Sequence, residues 1–185
     1  YTGKNVIVAV LDSGTNPEHV DLKDNLWVGY ADTDGDGEKD DMIHGWNFTV
    51  RDAQGNSDIR DDYGHGTHCA GIVCGKGVAG NITGVAPDAT LMTVKIIGRN
   101  GGGSPANMIK GVEFAIENGA SVLSISSGFK TSQIGTYTTS KTEFFMHAQR
   151  MAWEVQSNDW YRRISKSVCR NCGGDYRYLR YTRVF

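Results

Sequence analysis

No uninterrupted apolar run of about 18 residues occurs in this chain, so no membrane-spanning helix is expected. Cysteine is sparse: Cys69, Cys74, Cys169 and Cys172 do not amount to a disulfide framework, and they leave the redox compartment open. An excess of charge is missing too. A formal net charge of −2 over 185 residues gives no electrostatic reason to expect nucleic acid or a membrane as partner. Proline is limited to 3 residues against 24 glycines, and that much glycine suggests many tight turns and close backbone approaches. The chain opens at Tyr1 with neither an initiator Met nor a signal-peptide pattern, which reads as a mature form or a fragment.

What is present suits one globular domain with a sizeable core, with 39% apolar and 22% charged residues. The near-zero net charge hides an asymmetry. Residues 1–130 carry 10 Lys and Arg against 17 Asp and Glu, whereas residues 131–185 carry 9 against 4. Such a reversal marks a domain boundary or a basic tail, and the expected division is residues 1–154 as the folded unit and 155–185 as a divergent tail.

Asn5–Leu11 is largely β-branched and apolar, as a buried parallel strand should be. Leu91–Ile97 is a second such run and Val122–Ser126 a third. Between the last two, Ser104 is placed to N-cap a helix with Pro105 at its first position. Met108, Val112, Ala115 and Ile116 fall on one face of that helix, and Asn118-Gly119 closes it. Strand, helix, strand predicts a right-handed crossover and an α/β fold with a parallel sheet. A further amphipathic helix is expected at roughly 140–155, where Ser140-Lys141-Thr142-Glu143 forms a capping box. Beyond Val155 no apolar strand resumes the alternation.

Two motifs carry chemistry: Val10-Leu11-Asp12-Ser13-Gly14, and Gly64-His65-Gly66-Thr67-His68-Cys69-Ala70-Gly71. Taken alone, an Asp-Ser-Gly is a turn and a His beside Gly is structural. Together they read as an orienting acid and a general base. A hydroxyl nucleophile needs a neutral imidazole to take its proton, and the imidazole needs a carboxylate on its other nitrogen. Asp12, at the carboxyl end of a buried strand, and His65, in a glycine-flanked turn ahead of a helix starting near Thr67, have those placements.

With these motifs the sequence resembles the subtilisin-like serine proteases (peptidase S8, subtilases). The resemblance continues through Gly84-Val85-Ala86-Pro87-Asp88-Ala89, the strand ending at Lys95, Gly101–Ser104 and the following helix, to Ser126-Ser127-Gly128. It implies a subtilisin-like three-layer fold with a central parallel sheet, its C-terminal portion missing here. It also implies serine endopeptidase activity on polypeptide substrates, with Asp12 and His65 catalytic. Gly101, Gly102 and Gly103 on one side, and Ser126, Ser127 and Gly128 on the other, would bracket an extended substrate by strand addition. Ser127 stands where the family often has Leu, which implies a more polar primary pocket wall. Cys69, found in a branch of the family, is read as a structural thiol. Secretion and an inhibitory pro-segment are further family expectations.

Two departures matter. No Gly-Thr-Ser occurs anywhere, so the family's nucleophile motif is absent; Asn158 is the nearest candidate for the oxyanion-hole asparagine, without the strand that should precede it. As written, the chain is expected to be close to inactive alone. The competing function is a non-catalytic relative that binds peptide or calcium.

Asp32, Asp34, Asp36 and Asp40 occupy positions 1, 3, 5 and 9 of an acidic loop, with Glu38 between them and Gly37 at position 6. Hard cations want several oxygens at one radius, so calcium is expected there in a structural role, against the plainer alternative of a solvated turn. Position 12 is Ile43 rather than a bidentate Glu. His44-Gly45-Trp46-Asn47-Phe48 resembles a segment of larger bacterial-type subtilases, many of which carry stabilising calcium. In the tail, Cys169-Arg170-Asn171-Cys172 is half a zinc knuckle and reads as a chance pair or local disulfide. The Tyr- and Arg-rich end is read as a shift out of frame rather than a stacking surface for single strands.

Overall fold

The computed structural model describes residues 2–52, 54–127 and 181–182. The chain divides into two units, residues 1–124 and residues 125–185. The expected boundary at 154/155, the helix expected at 140–155, Asn158 and the Cys169/Cys172 pair all lie outside the described residues.

Two apolar runs build the centre of the first unit. Strand β1 (Ile7–Asp12) pairs in parallel with β5 (Thr90–Lys95), in a register that sets Ile7 beside Thr90 and Asp12 beside Lys95. Three short strands precede β5: β2 (Gly29–Ala31), β3 (Asp41–Ile43) and β4 (Gly45–Asn47). β4 adds to the sheet in parallel beside β5, and β6 (Val122–Ile125) lies on the far side of β1, giving the order β4-β5-β1-β6. β2 and β3 form a separate antiparallel ribbon whose connection is the acidic loop. In the second unit, Tyr181–Thr182 is extended and is β7.

Nearly every side chain of β1 and β5 is out of water, on both faces, which is why these runs are continuous rather than alternating. Val8, Val10 and Leu91 pack with Ala70 and Cys74 of helix α1 (His65–Cys74). Residues of opposite parity face the other helix. A methyl at Gly111 of helix α2 (Pro105–Glu117) would lie 2.8 Å from Ile96, 2.9 Å from Val94 and 3.4 Å from Leu11, so this glycine lets α2 lie flat on the sheet. A helix on each face of a parallel sheet is the three-layer α/β arrangement.

The assignments of β1, β5, β6 and α2 hold with shifts at their ends. Ser104 caps α2 through its hydroxyl, which accepts from the Asn107 N–H at 3.1 Å, with Pro105 first in the helix. The β5–α2–β6 crossover passes over β1, so the two strands it joins are not neighbours. Phe114 also faces inward, against Trp27, Trp46 and Phe48 with ring centroids 6.1–6.2 Å apart. Its position between the small core residues Gly111 and Ala115 hides it from a periodicity count.

Candidate active site

The carboxyl ends of β1 and β5 meet the amino end of α1. Asp12 closes β1 and shares the α1 face with Val8 and Val10, because side chains alternate along a strand. It is 1% exposed. His65 is itself the first residue of α1, rather than part of a turn ahead of it; the N-cap is Gly64 at φ 95°, a conformation that glycine adopts without strain. His65 Nδ1 and Asp12 Oδ1 are 2.7 Å apart. An ionised carboxylate can only accept, so Nδ1 carries the proton and Nε2 is left as the acceptor. The His65 side chain is 43% exposed, so the pair has one dry end and one wet end.

Asp12 Oδ1 also accepts the Ser13 N–H at 2.7 Å, whereas Oδ2 is enclosed and has no hydrogen-bond partner among the described residues. The approach of α1 to the strand end depends on Gly66. A Cβ there would fall 2.2 Å from the Gly14 carbonyl oxygen, so any larger residue pushes the helix off the turn that follows Asp12.

Residues outside the motif readings complete the site. Asp61 receives the N–H groups of Tyr63 (3.1 Å), Gly64 (2.8 Å) and Thr67 (2.8 Å) and the hydroxyls of Ser13 (2.9 Å) and Thr67 (2.6 Å). Burial alone would push its carboxyl up; the bonds from the Thr67 hydroxyl and the Gly64, Thr67 and Tyr63 amides outweigh it and hold the pKa at about 2. Lys95 is 3% exposed and donates from Nζ to the Ser13 carbonyl and to Asp62 Oδ1, each at 2.6 Å. Sequence reading placed Lys95 only at a strand end and did not single out Asp61. The signal available was a carboxylate four residues before a histidine at a helix start, which is where orphan amides need an acceptor.

Cys69, one helical turn after His65, sets its sulfur 3.7 Å from Nδ1 and 3.9 Å from Nε2. Nearly equal distances to both nitrogens place the thiol against the ring. Cys74 is the buried one, its thiol pushed up to about 12 by burial.

Gly101, Gly102 and Gly103 lie in an exposed turn. The Gly101 N–H donates to Gly98 O, the Gly98 N–H to Gly102 O and the Gly102 N–H to Asn100 Oδ1, while Gly103 bridges antiparallel to Ile97. A Cβ on Gly101, at φ 74°, would sit 2.8 Å from the Tyr63 ring, so the turn leans on the segment leading into His65. In the second unit, exposed Ser126 and half-buried Ser127 follow β6; Gly128 lies outside the described residues.

In the acidic loop, Asp32, Asp34 and Asp41 come together, with carboxylate oxygens within 4.8 Å of one another. Asp36, Glu38 and Asp40 are not in that group, and Asp41, the first residue of β3, was not among the residues read from the sequence. Asp32 accepts the Gly35 N–H at 2.7 Å and the Gly37 N–H at 3.0 Å, and Asp41 accepts the Thr33 hydroxyl at 2.6 Å, which lowers its pKa. Three converging carboxylates fit a hard cation in part; the remaining oxygens would come from backbone or water.

Comparison with known proteins places the chain. Residues 3–161 match the model of the subtilase family, peptidase S8. The chain is 39% identical over 127 residues to the major intracellular serine protease of Bacillus subtilis, covering 68% of this chain and 35% of that protein. It is 39% identical over 130 residues to the minor extracellular protease Vpr of the same organism, covering 69% of this chain and 14% of the relative. The intracellular serine protease of Paenibacillus polymyxa matches at 36% over 127 residues, 68% of this chain and 34% of the relative. The chain thus spans about a third or less of these relatives' length.

Proposed function

The chain belongs to the subtilase family, and we propose that it supplies the aspartate–histidine half of a serine endopeptidase acting on polypeptides by acyl-enzyme chemistry. The observation that carries this reading is the 2.7 Å contact between His65 Nδ1 and buried Asp12 Oδ1. In the reaction, Nε2 of His65 takes the proton of a serine hydroxyl as it attacks the scissile carbonyl, then returns it to the leaving amine. Asp12 holds the ring in the productive tautomer and stabilises the imidazolium when it forms. Gly101, Gly102 and Gly103 are proposed as one edge for an extended substrate. An inhibitory pro-segment would present the same kind of strand. For location, the relatives' names point both ways, since one is extracellular and two are intracellular.

The nucleophile is the part the sequence does not offer, because no Gly-Thr-Ser occurs. In subtilisin itself, loss of the serine or of the histidine lowers turnover by about a millionfold. Labelling with a serine-reactive phosphonate tests this directly: this chain should take up none. Stoichiometric labelling would overturn the missing nucleophile, and proteolysis abolished by His65→Ala would locate the activity at this site.

A second reading, calcium binding at the ribbon, draws support from the convergence of Asp32, Asp34 and Asp41. The role proposed is structural, closing the loop between β2 and β3, with the reaction independent of the ion.

A further inference from the structure

Ser13 has no freedom left. It is fully buried, and each of its polar atoms is engaged: N–H to Asp12, carbonyl from Lys95, hydroxyl to Asp61. A hydroxyl has one proton to give. Asp61 Oδ1 can only accept, so the Ser13 proton goes there, and the Ser13 lone pairs then face the Gly66 N–H, 2.8 Å away. Gly66 follows His65.

A second arm repeats the pattern in mirror order. The Thr67 hydroxyl gives its proton to Asp61 Oδ2 at 2.6 Å and accepts the Asn16 N–H at 3.0 Å. One hydroxyl belongs to the strand end and binds the helix start; the other belongs to the helix start and binds the strand end. Both are oriented by one carboxylate. The remaining donors to Asp61, the N–H groups of Tyr63, Gly64 and Thr67, shape the turn that delivers His65 and the first turn of α1.

We propose that Asp61 is a positioning residue that sets the distance and angle between Asp12 and His65 through its paired bonds to Ser13 and Thr67. Its hydrogen bonds go to Ser13, Tyr63, Gly64 and Thr67, and not to the His65 ring or to Asp12. Proton transfer falls off sharply when donor and acceptor are displaced by fractions of an ångström, so fixing this pair is a catalytic requirement rather than a matter of stability alone. An amide at residue 61 cannot do the same work. Its NH₂ cannot accept, so whichever oxygen it replaces, the backbone N–H groups aimed there (Tyr63 and Gly64, or Thr67) lose their acceptor and the turn that carries the two arms is disturbed.

The inference rests on the reading of Asp12 and His65 as an acid–base pair, and its test does not require turnover. In this 185-residue chain with ¹⁵N-labelled histidine, NMR reports the His65 Nδ1 proton and the ratio of the two imidazole tautomers. The wild type should show one low-field Nδ1 proton and the Nδ1-protonated tautomer in large excess. Asp61→Asn should broaden or shift that proton upfield and cut the tautomer excess several-fold, with amide shifts of β5 and α2 unchanged. Asp58→Asn, which removes the same charge from an exposed pair with Arg60, should leave both signals alone. Should Asp61→Asn fail to fold, Ser13→Ala and Thr67→Val each remove one arm and decide the matter. Unaltered His65 signals in the folded variants would overturn the proposal. Absence of the low-field Nδ1 proton from the folded wild type would count instead against the acid–base pair on which the proposed function rests.

Discussion

Asp12 and Lys95 lie side by side in the β1–β5 register, yet they form no ion pair; the buried ammonium reaches instead to the Ser13 carbonyl and to Asp62. The cation is therefore a brace under the turn after Asp12, and the aspartate's charge is left for His65.

The two partners of that brace are unequal. The Lys95 side chain is 4% exposed and that of Asp62 50%. Asp62→Ala leaves a buried cation without its counter-ion, a situation that costs about 3–5 kcal/mol. Lys95→Met leaves one unbonded carbonyl and a carboxylate that water can reach, about 1–3 kcal/mol. Urea unfolding should therefore rank Asp62→Ala as the more damaging, and the double variant should recover stability relative to Asp62→Ala. A milder Asp62→Ala would show that the Ser13 carbonyl and water satisfy the ammonium without Asp62.

Asp61 predicts an acid limit. Its pKa in the fold, about 2, lies below the ordinary value of 3.8, so the stabilisation it provides is full above about pH 4 and is lost as the pH falls through about 2. The group is partly solvated, so the amount is about 1 kcal/mol. Equilibrium unfolding at pH 5 and pH 2.5 should show a smaller loss in Asp61→Asn than in wild type by that amount. Equal losses would mean that other carboxylates carry the acid sensitivity.

Gly66→Ala probes the closest approach in the site. The added methyl meets the Gly14 carbonyl oxygen at 2.2 Å, which backbone cannot tolerate, so α1 must back away from the strand turn. The expected cost is about 1–3 kcal/mol in unfolding free energy. The same displacement should lengthen the Asp12–His65 contact and weaken the His65 Nδ1 proton signal. A variant of undiminished stability with that signal intact would contradict the packing described.

Much of this is legible in the sequence. β1, β5 and α2 follow from apolar runs and a Ser-Pro cap, since local patterning and tertiary burial agree there. Asp12 and His65 follow from motifs in which small residues flank the reactive ones. Asp61 and Lys95 were not legible as site residues. Their roles come from hydrogen bonds between segments about fifty residues or more apart, Asp61 to Ser13 and Lys95 to Ser13, and no local periodicity encodes such pairings. The convergence of Asp41 with Asp32 and Asp34 in the acidic loop is likewise not legible in the sequence. Counting positions in a linear loop picks Asp36, Glu38 and Asp40, whereas the β2–β3 pairing sets Asp41 opposite Ala31 and so brings it back to Asp32 and Asp34.

That difference makes the calcium proposal discriminating. If the ion is gathered by the ribbon, the melting temperature should fall by about 5 °C or more on chelation and recover with calcium. Asp41→Asn and Asp32→Asn should each abolish the response, because each removes a converging carboxylate. Glu38→Gln should retain it, since Glu38 stands outside the group. A response lost with Glu38→Gln but kept with Asp41→Asn would restore the linear loop as the binding element. With no chelator effect in the wild type, the three carboxylates would be a solvated turn, stabilised by the Thr33 bonds to Asp41 and the Asp32 bonds to Gly35 and Gly37.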